Sequence, residues 1–458
     1  MPVLFHRALP GCLLLVTLLA ACVTSPPVDR PAMDLPPNFK EQGPWRPAHP
    51  SDTTSRGHWW TIYHDAELNA LEEKIEVSNQ SLISAAAKAA QARALTQAAR
   101  SAYFPTLDAG TSSIRARTGQ SGSATTTAVT FDLNWEIDLW GRIRNNVSAA
   151  QATAEAAGSD MASARLSLQA QLAQSYLALR LVDARKHLLD GEITSYSKSL
   201  KLTENRKAAG IVASRDVAQA KTILATTQAE SIDTEVERTQ LEHAIAVLIG
   251  VPPAAFSIPM RADPVSVPAA PHSGTAAWLE RRPDIAAAER RVAAANKLIG
   301  AARAAYFPAL ALSAGGGFRG IKDLVSAPSR FWSLGPALAA PLLDGGLRKA
   351  QVDQAKGAYD QTVADYRQSV LTGLQQVEDN MAELRILERE STVQAEAVRA
   401  ARESETVALN EYKAGTADYL NVITAQTEAL TNELTALNIL NRRLSASVLL
   451  IKALGGGW

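Results

Sequence analysis

The sequence predicts a mixed α and β membrane protein whose chain is two copies of one unit, with too few strands to close a barrel alone. Three observations carry this. Across 125–139, Val129, Phe131, Leu133, Trp135, Ile137 and Leu139 are apolar, and Thr130, Asp132, Asn134, Glu136 and Asp138 lie between them. That period of two gives one apolar face and one polar face. Directly behind it, 140–209 holds no proline and is rich in Ala, Gln, Leu, Glu and Arg, with Gly191 a candidate break. A helix of about 70 residues would be roughly 105 Å long. Third, Ala102-Tyr103-Phe104-Pro105 recurs as Ala305-Tyr306-Phe307-Pro308, Lys207-Ala208-Ala209-Gly210-Ile211 as Tyr412-Lys413-Ala414-Gly415-Thr416, and Leu248-Ile249-Gly250 as Ala453-Leu454-Gly455, all roughly 205 residues apart. Such a fixed offset marks an internal duplication.

Taken in order, 1–21 read as a signal peptide. His6 and Arg7 open it, and 13–19 form an apolar core too short to span a bilayer as a helix. Leu19-Ala20-Ala21-Cys22 resembles the bacterial lipobox, in which the cysteine is lipidated and becomes the new N-terminus; Val23 in place of an aspartate points to the outer membrane. Cys12 falls in the removed segment, so the mature chain has no cysteine pair and no disulfide. Eight prolines between Pro26 and Pro50 make 22–57 an extended strap. The first repeat, 58–257, then brings one helix running from about Leu68 to Phe104 and ended by Pro105, strands at 106–117 and 125–139, a long helix at 140–209 and its return at 215–249. After a connector at 258–274, the second repeat, 275–458, brings a helix, strands at 309–319 and 329–342, a long helix at 346–413 and a return at 417–454. Pro336 inside the last strand suits an edge or a bulge.

Within the long helices, Val147, Ala154, Met161, Leu168, Ser175, Val182 and Leu189 fall seven apart, as do Val363, Val370, Val377 and Leu384. A seven-residue repeat on a 3.6-residue helix predicts packed, supercoiled partners. Four strands leave open edges, which lipid does not tolerate, and closed barrels need about eight strands or more. Two chains would supply eight and three would supply twelve. Three chains also supply about twelve long helical passes, enough to ring a tunnel instead of collapsing into a solid bundle, so the geometry favours the trimer.

The lipobox, Trp59-Trp60, the duplicated Ala-Tyr-Phe-Pro, Asp138-Leu139-Trp140-Gly141-Arg142, Arg281-Arg282-Pro283-Asp284-Ile285 and the terminal Ala453-Leu454-Gly455-Gly456-Gly457-Trp458 together resemble the TolC/OprM-like outer membrane factors, in the lipoprotein branch serving resistance-nodulation-division pumps. The resemblance covers essentially the whole mature chain. It implies a homotrimer with one shared twelve-stranded outer-membrane barrel continued by a long periplasmic α-helical barrel. Its implied partners are a periplasmic membrane-fusion adaptor and a proton-driven inner-membrane pump. The turns Gly210-Ile211-Val212-Ala213 and Gly415-Thr416-Ala417 would be the periplasmic tips that meet the adaptor. The periplasmic gate would lie at Asp418, Tyr419, Leu420 and Thr424, with Asp216 beside it. Leu420 matches the family's leucine ring, but Thr424 stands where an aspartate is frequent and Thr427 where an arginine is frequent. Closure is therefore expected to rest on Leu420 packing and on Asp216 and Asp418. On the polar face of the best strand, Asp132, Glu136 and Asp138 would face the barrel lumen, either solvating it or biasing charged solutes.

Other function classes find little support. The 46 Lys plus Arg residues balance 46 Asp plus Glu, so no bulk field favours nucleic acid. The seven histidines are scattered, and no phosphate loop, HExxH motif or Cys/His metal spacing occurs. No enzyme, metal or cofactor is expected beyond the covalent lipid on Cys22. A lipidated periplasmic adaptor or scaffold would lack the duplicated strand pairs. A type I protein-secretion conduit stays open, and the sequence does not choose among drugs, metal ions and aromatic acids as cargo.

Overall fold

The computed structural model describes residues 57–117, 122–263, 265–269, 281–320 and 329–456. The expected signal segment, Cys22, the expected proline-rich strap before Gly57 and the terminal Gly457-Trp458 lie outside the described residues. The chain forms two compact units. Within the described residues, one takes 86–160 and 284–369; the other takes 57–85, 161–283 and 370–456.

The first unit holds strands β1 (Thr106–Ala116), β2 (Ala124–Ile137), β3 (Ala309–Gly320) and β4 (Arg330–Ala339), antiparallel in the order β1-β2-β3-β4. Register sorts the side chains, because directly opposed residues share a face. Leu107, Leu133, Ala314 and Leu334 line up across the sheet, as do Ala109, Phe131, Gly316 and Trp332; Asp108, Asp132, Gly315 and Ser333 line up on the other face. The apolar face is exposed, with Trp332 82% and Leu107 68% accessible. Gly317 permits the closest approach in the sheet, since a Cβ there would collide with the Val129 carbonyl. Among the described residues β1 and β4 have no strand on their outer sides. Pro336 sits on the edge strand β4, opposite Leu312, where a missing N–H is tolerated.

Two strand ends differ from expectation. β2 stops at Ile137, two residues before Leu139, because Asp138 leaves the ladder and caps the next helix: its carboxylate accepts from Ile143 N at 3.0 Å and Arg144 N at 2.8 Å. β4 stops at Ala339, not Leu342. Its partner in the ladder begins at Ala309, directly behind Pro308, so nothing pairs with the residues beyond.

The helices are α1 (Ala66–Ser78), α2 (Gln80–Ser101), α3 (Arg142–Ala208), α4 (Ser214–Leu248), α5 (Pro283–Ala304), α6 (Leu347–Ala414) and α7 (Tyr419–Ala453). The single helix expected from Leu68 to Phe104 is two. Asn79 is extended at φ −68°, ψ 118°, its Oδ1 accepts from Leu82 N at 2.8 Å, and its Nδ2 donates to the Leu248 carbonyl at 2.6 Å. The break thus caps α2 and satisfies the end of α4 together. Gly250 completes the joint: its backbone is left-handed at φ +71°, and a Cβ would strike the Ser78 carbonyl.

The second unit's largest core joins Trp59, Trp60, Leu68 and Ile75 to Leu172, Tyr176 and Leu179 of α3, Ile245 and Ile249 at the end of α4, and Leu444, Val448 and Ile451 of α7. Asp65 fastens α1 to α3. One oxygen caps α1 at Glu67 N and Leu68 N, and the other accepts from Arg180 Nη1 at 2.6 Å and Tyr176 OH at 2.9 Å. Of the eleven heptad positions, Val147, Val182, Leu189, Val370, Val377 and Leu384 are buried, while Ala154, Met161, Leu168, Ser175 and Val363 are half-buried, so the seven-residue spacing is packing surface along part of each helix.

Candidate functional site

The two helical turns are built alike. After α3, Gly210 is left-handed at φ +72°, donating to the Lys207 carbonyl while Ile211 N donates to the Arg206 carbonyl at 2.9 Å. After α6, Gly415 at φ +79° donates to the Tyr412 carbonyl and Thr416 N to the Glu411 carbonyl, both at 3.0 Å. Both are Schellman closures, for which glycine is the low-strain residue. Ile211 is 62% exposed, Val212 packs partly against the core below, and Ala213 and Asp418 begin α4 and α7 as cap residues without side-chain cap bonds. The tips are thus short and small-sided, as the duplicated motifs predict. Ala417 is half-buried and Thr416 exposed.

Behind the tips lies a latch that the sequence does not announce. Tyr412 and Tyr419 pack at 5.1 Å between centroids, with Ala220 and Val422 around them, and the Arg206 guanidinium lies 4.5 Å over the Tyr412 ring. Arg206 also donates to the Tyr412 carbonyl, and Tyr412 OH donates to Thr203 Oγ1 at 3.3 Å. Of the proposed gate residues, Tyr419 is 1% exposed and belongs to this packing, not to an open constriction. Its position follows from helix period: Tyr419 and Val422 share the inner face, while Leu420 and Thr424 share the outer one. Burial first, then Tyr412 and Asp216, pushes the Tyr419 phenol up to about 12. Leu420 is 55% exposed, and Thr424 Oγ1 donates to its carbonyl at 3.0 Å, so position 424 itself brings no charge. Asp216 is largely buried, 3.8 Å from Arg215, while Asp418 is exposed.

Farther along the same helices, Arg402 of α6 binds three carboxylates: Glu192 of α3 at 2.7 Å, Glu405 of its own helix at 2.7 Å, and Glu433 of α7. Burial pushes the Glu192 carboxyl up, opposed by the Arg402 bond. In the sequence this cluster shows only as Arg402 three residues before Glu405; the other two partners are distant in the chain.

In the sheet, Asp132 is exposed on the polar face directly opposite Asp108, an acid that alternation alone did not single out because β1 patterns weakly. Glu136 lies near the end of β2 and is held by Arg142, at 2.9 Å from Nε and 2.6 Å from Nη2. Asp138 is not a strand residue; it caps α3. Of the three acids proposed for one face, Asp132 alone is on the ladder without an acid-binding arginine.

Among the described residues no cluster of His, Cys, Asp or Glu fits a metal ion, and no helix is long and apolar enough to cross a membrane. A family model described as "Outer membrane efflux protein" matches residues 71–251 and again 276–456. Outer membrane protein OprJ of Pseudomonas aeruginosa is 30% identical over 460 residues, covering 98% of this chain and 95% of the relative. The probable efflux pump outer membrane protein TtgC of Pseudomonas putida is 28% identical over 453 residues, covering 96% of this chain and 94% of the relative. The solved structure of the outer-membrane channel OprN superposes with a TM-score of 0.88 at 28% identity, covering 95% of this chain and all of that one. With one family model matched by both halves, and full-length relatives sharing the four-stranded, mainly helical build, this chain belongs to the outer membrane efflux protein family.

Proposed function

We propose that three copies of this chain join edge to edge into one twelve-stranded barrel in the outer membrane, continued by a periplasmic helical barrel. The assembly is the passive exit conduit of a tripartite efflux system. The observation that carries this is the sheet: one face is apolar yet exposed, the other polar, and both edges lack partners among the described residues. An apolar exposed face suits lipid, and free edges in lipid require another strand. The chain performs no catalysis and needs no cofactor; energy comes from a proton-driven inner-membrane pump, reached through an adaptor that meets the Gly210 and Gly415 turns. Leu420 narrows the periplasmic end. Cys22 carries the lipid that anchors the mature N-terminus.

Single cysteines along β1, at Ala109, Thr111 and Ser113, paired with Leu334→Cys on β4, test the assembly. Oxidation is expected to yield covalent trimers for at least one pair, whereas a product that stays monomeric throughout sinks the reading. Radiolabelled palmitate should enter the wild-type chain and not Cys22→Ala; equal labelling would remove the anchor.

A further inference from the structure

A groove of about 360 Å³ in the second unit is walled by α4 and α7, with Tyr196 of α3 lining it too; Thr427, where the family frequently carries an arginine, is among its lining residues. Ile223, Ile423, Leu430 and Leu434 supply apolar surface, and Thr222, Thr226, Thr227, Thr427 and Thr431 line it with their methyl and hydroxyl groups. The Tyr196 hydroxyl is already engaged with the Gln426 carbonyl at 3.3 Å, so that residue offers ring surface. Besides the threonine hydroxyls, two longer polar side chains stand at opposite ends. The Gln219 side-chain oxygen is shut off from solvent and has no partner among the described residues. Glu230, the one charged residue among those lining the groove, is half-buried and makes no ion pair among the described residues. The two are eleven positions apart on α4, about 16 Å at 1.5 Å rise per residue, and they lie within roughly 20° of one face.

An unpaired buried acceptor at one end, an unpaired carboxylate at the other and apolar surface between them define a ligand by complementarity. We propose that this groove binds an elongated amphipathic organic cation: a rod-like apolar body along Ile223 and Leu430, an ammonium at Glu230, and a hydroxyl or N–H donor at the Gln219 oxygen. The site is independent of the trimer reading and adds a binding function to the helices themselves.

The probe is 4-(4-hydroxyphenyl)benzylammonium, with two analogues: the neutral alcohol in place of the ammonium, and the compound without the phenol. Binding is measured by titration calorimetry on the purified full chain in non-ionic detergent, against a micelle blank. The probe should bind saturably. Glu230→Gln should weaken it tenfold or more while leaving the neutral alcohol's weaker binding unchanged. Gln219→Leu should weaken it several-fold while leaving the compound without the phenol unchanged. Ile223→Trp, which fills the groove, should abolish it. If the probe binds Ile223→Trp as well as wild type, or both polar variants bind every compound like wild type, or no heat above the blank is seen, the proposal is wrong.

Discussion

Glu72 lies on α1 with no exposure, and neither carboxylate oxygen has a partner among the described residues. Burial first, and Glu76 second, raise its pKa from 4.5 to about 9. An acid whose folded pKa lies above its unfolded one stabilises the fold fully below the lower value, and that stability is lost as pH rises toward the upper one. Between pH 4.5 and 9 the chain should therefore weaken steadily, by on the order of 4 kcal/mol at pH 7.5 for a shift of this kind. Glu72→Gln, neutral at every pH, should match wild type in thermal midpoint at pH 5 and exceed it by several degrees at pH 8; parallel pH profiles for the two proteins would refute this. Nothing in the sequence marks Glu72, which stands among Glu67, Glu73 and Glu76 on one helix. Asp138 teaches the same lesson. It prolongs the alternation perfectly, yet the unsatisfied amides of an adjacent helix end claim its carboxylate.

At the scale of elements, Arg402 ties α3, α6 and α7 through Glu192 and Glu433, and Arg206 ties α3 to α6 again at Tyr412. Arg402→Met would leave three carboxylates facing one another. With a third of the arginine side chain exposed, the cost is about 2 kcal/mol, below that of a fully buried pair. Leu420 is exposed, so Leu420→Ala should leave stability unchanged. The unfolding temperature separates the two. Both variants should conduct more than wild type, Arg402→Met by loosening α3 from α6 and α7 and Leu420→Ala by removing bulk at the proposed constriction, and only Arg402→Met should lower the unfolding temperature. Unchanged conductance in Leu420→Ala would remove it from the gate. The elements themselves were largely legible, since long periodic stretches outvote local noise. The break at Asn79 was not, because it depends on the Leu248 carbonyl about 170 residues downstream.

At the scale of the molecule, the repeats are joined by the β2–β3 pairing, Val129 opposite Phe318 and Trp135 opposite Leu312. Each copy supplies two strands, and the four share one apolar face because register is set by side-chain period. A sheet of this kind with free edges is an incomplete object in lipid, which is why the assembly is proposed to be the functional unit.

The order of helices and strands, the duplication and the two-faced character of the best strand followed from the sequence alone, because periodicity, proline and glycine are local signals that a single chain carries in full. The candidate site was legible only where it repeats a local motif, as at the Gly210 and Gly415 turns. Tertiary structure alone decided that Tyr419 turns inward to Tyr412, that Arg402 gathers carboxylates from three helices, that Asp108 stands opposite Asp132, and that, among the described residues, the Gln219 side-chain oxygen has no partner and Glu230 no ion pair. Each of those depends on which residues remote in the chain come within a few ångströms, and burial and pairing exist only once the helices are packed.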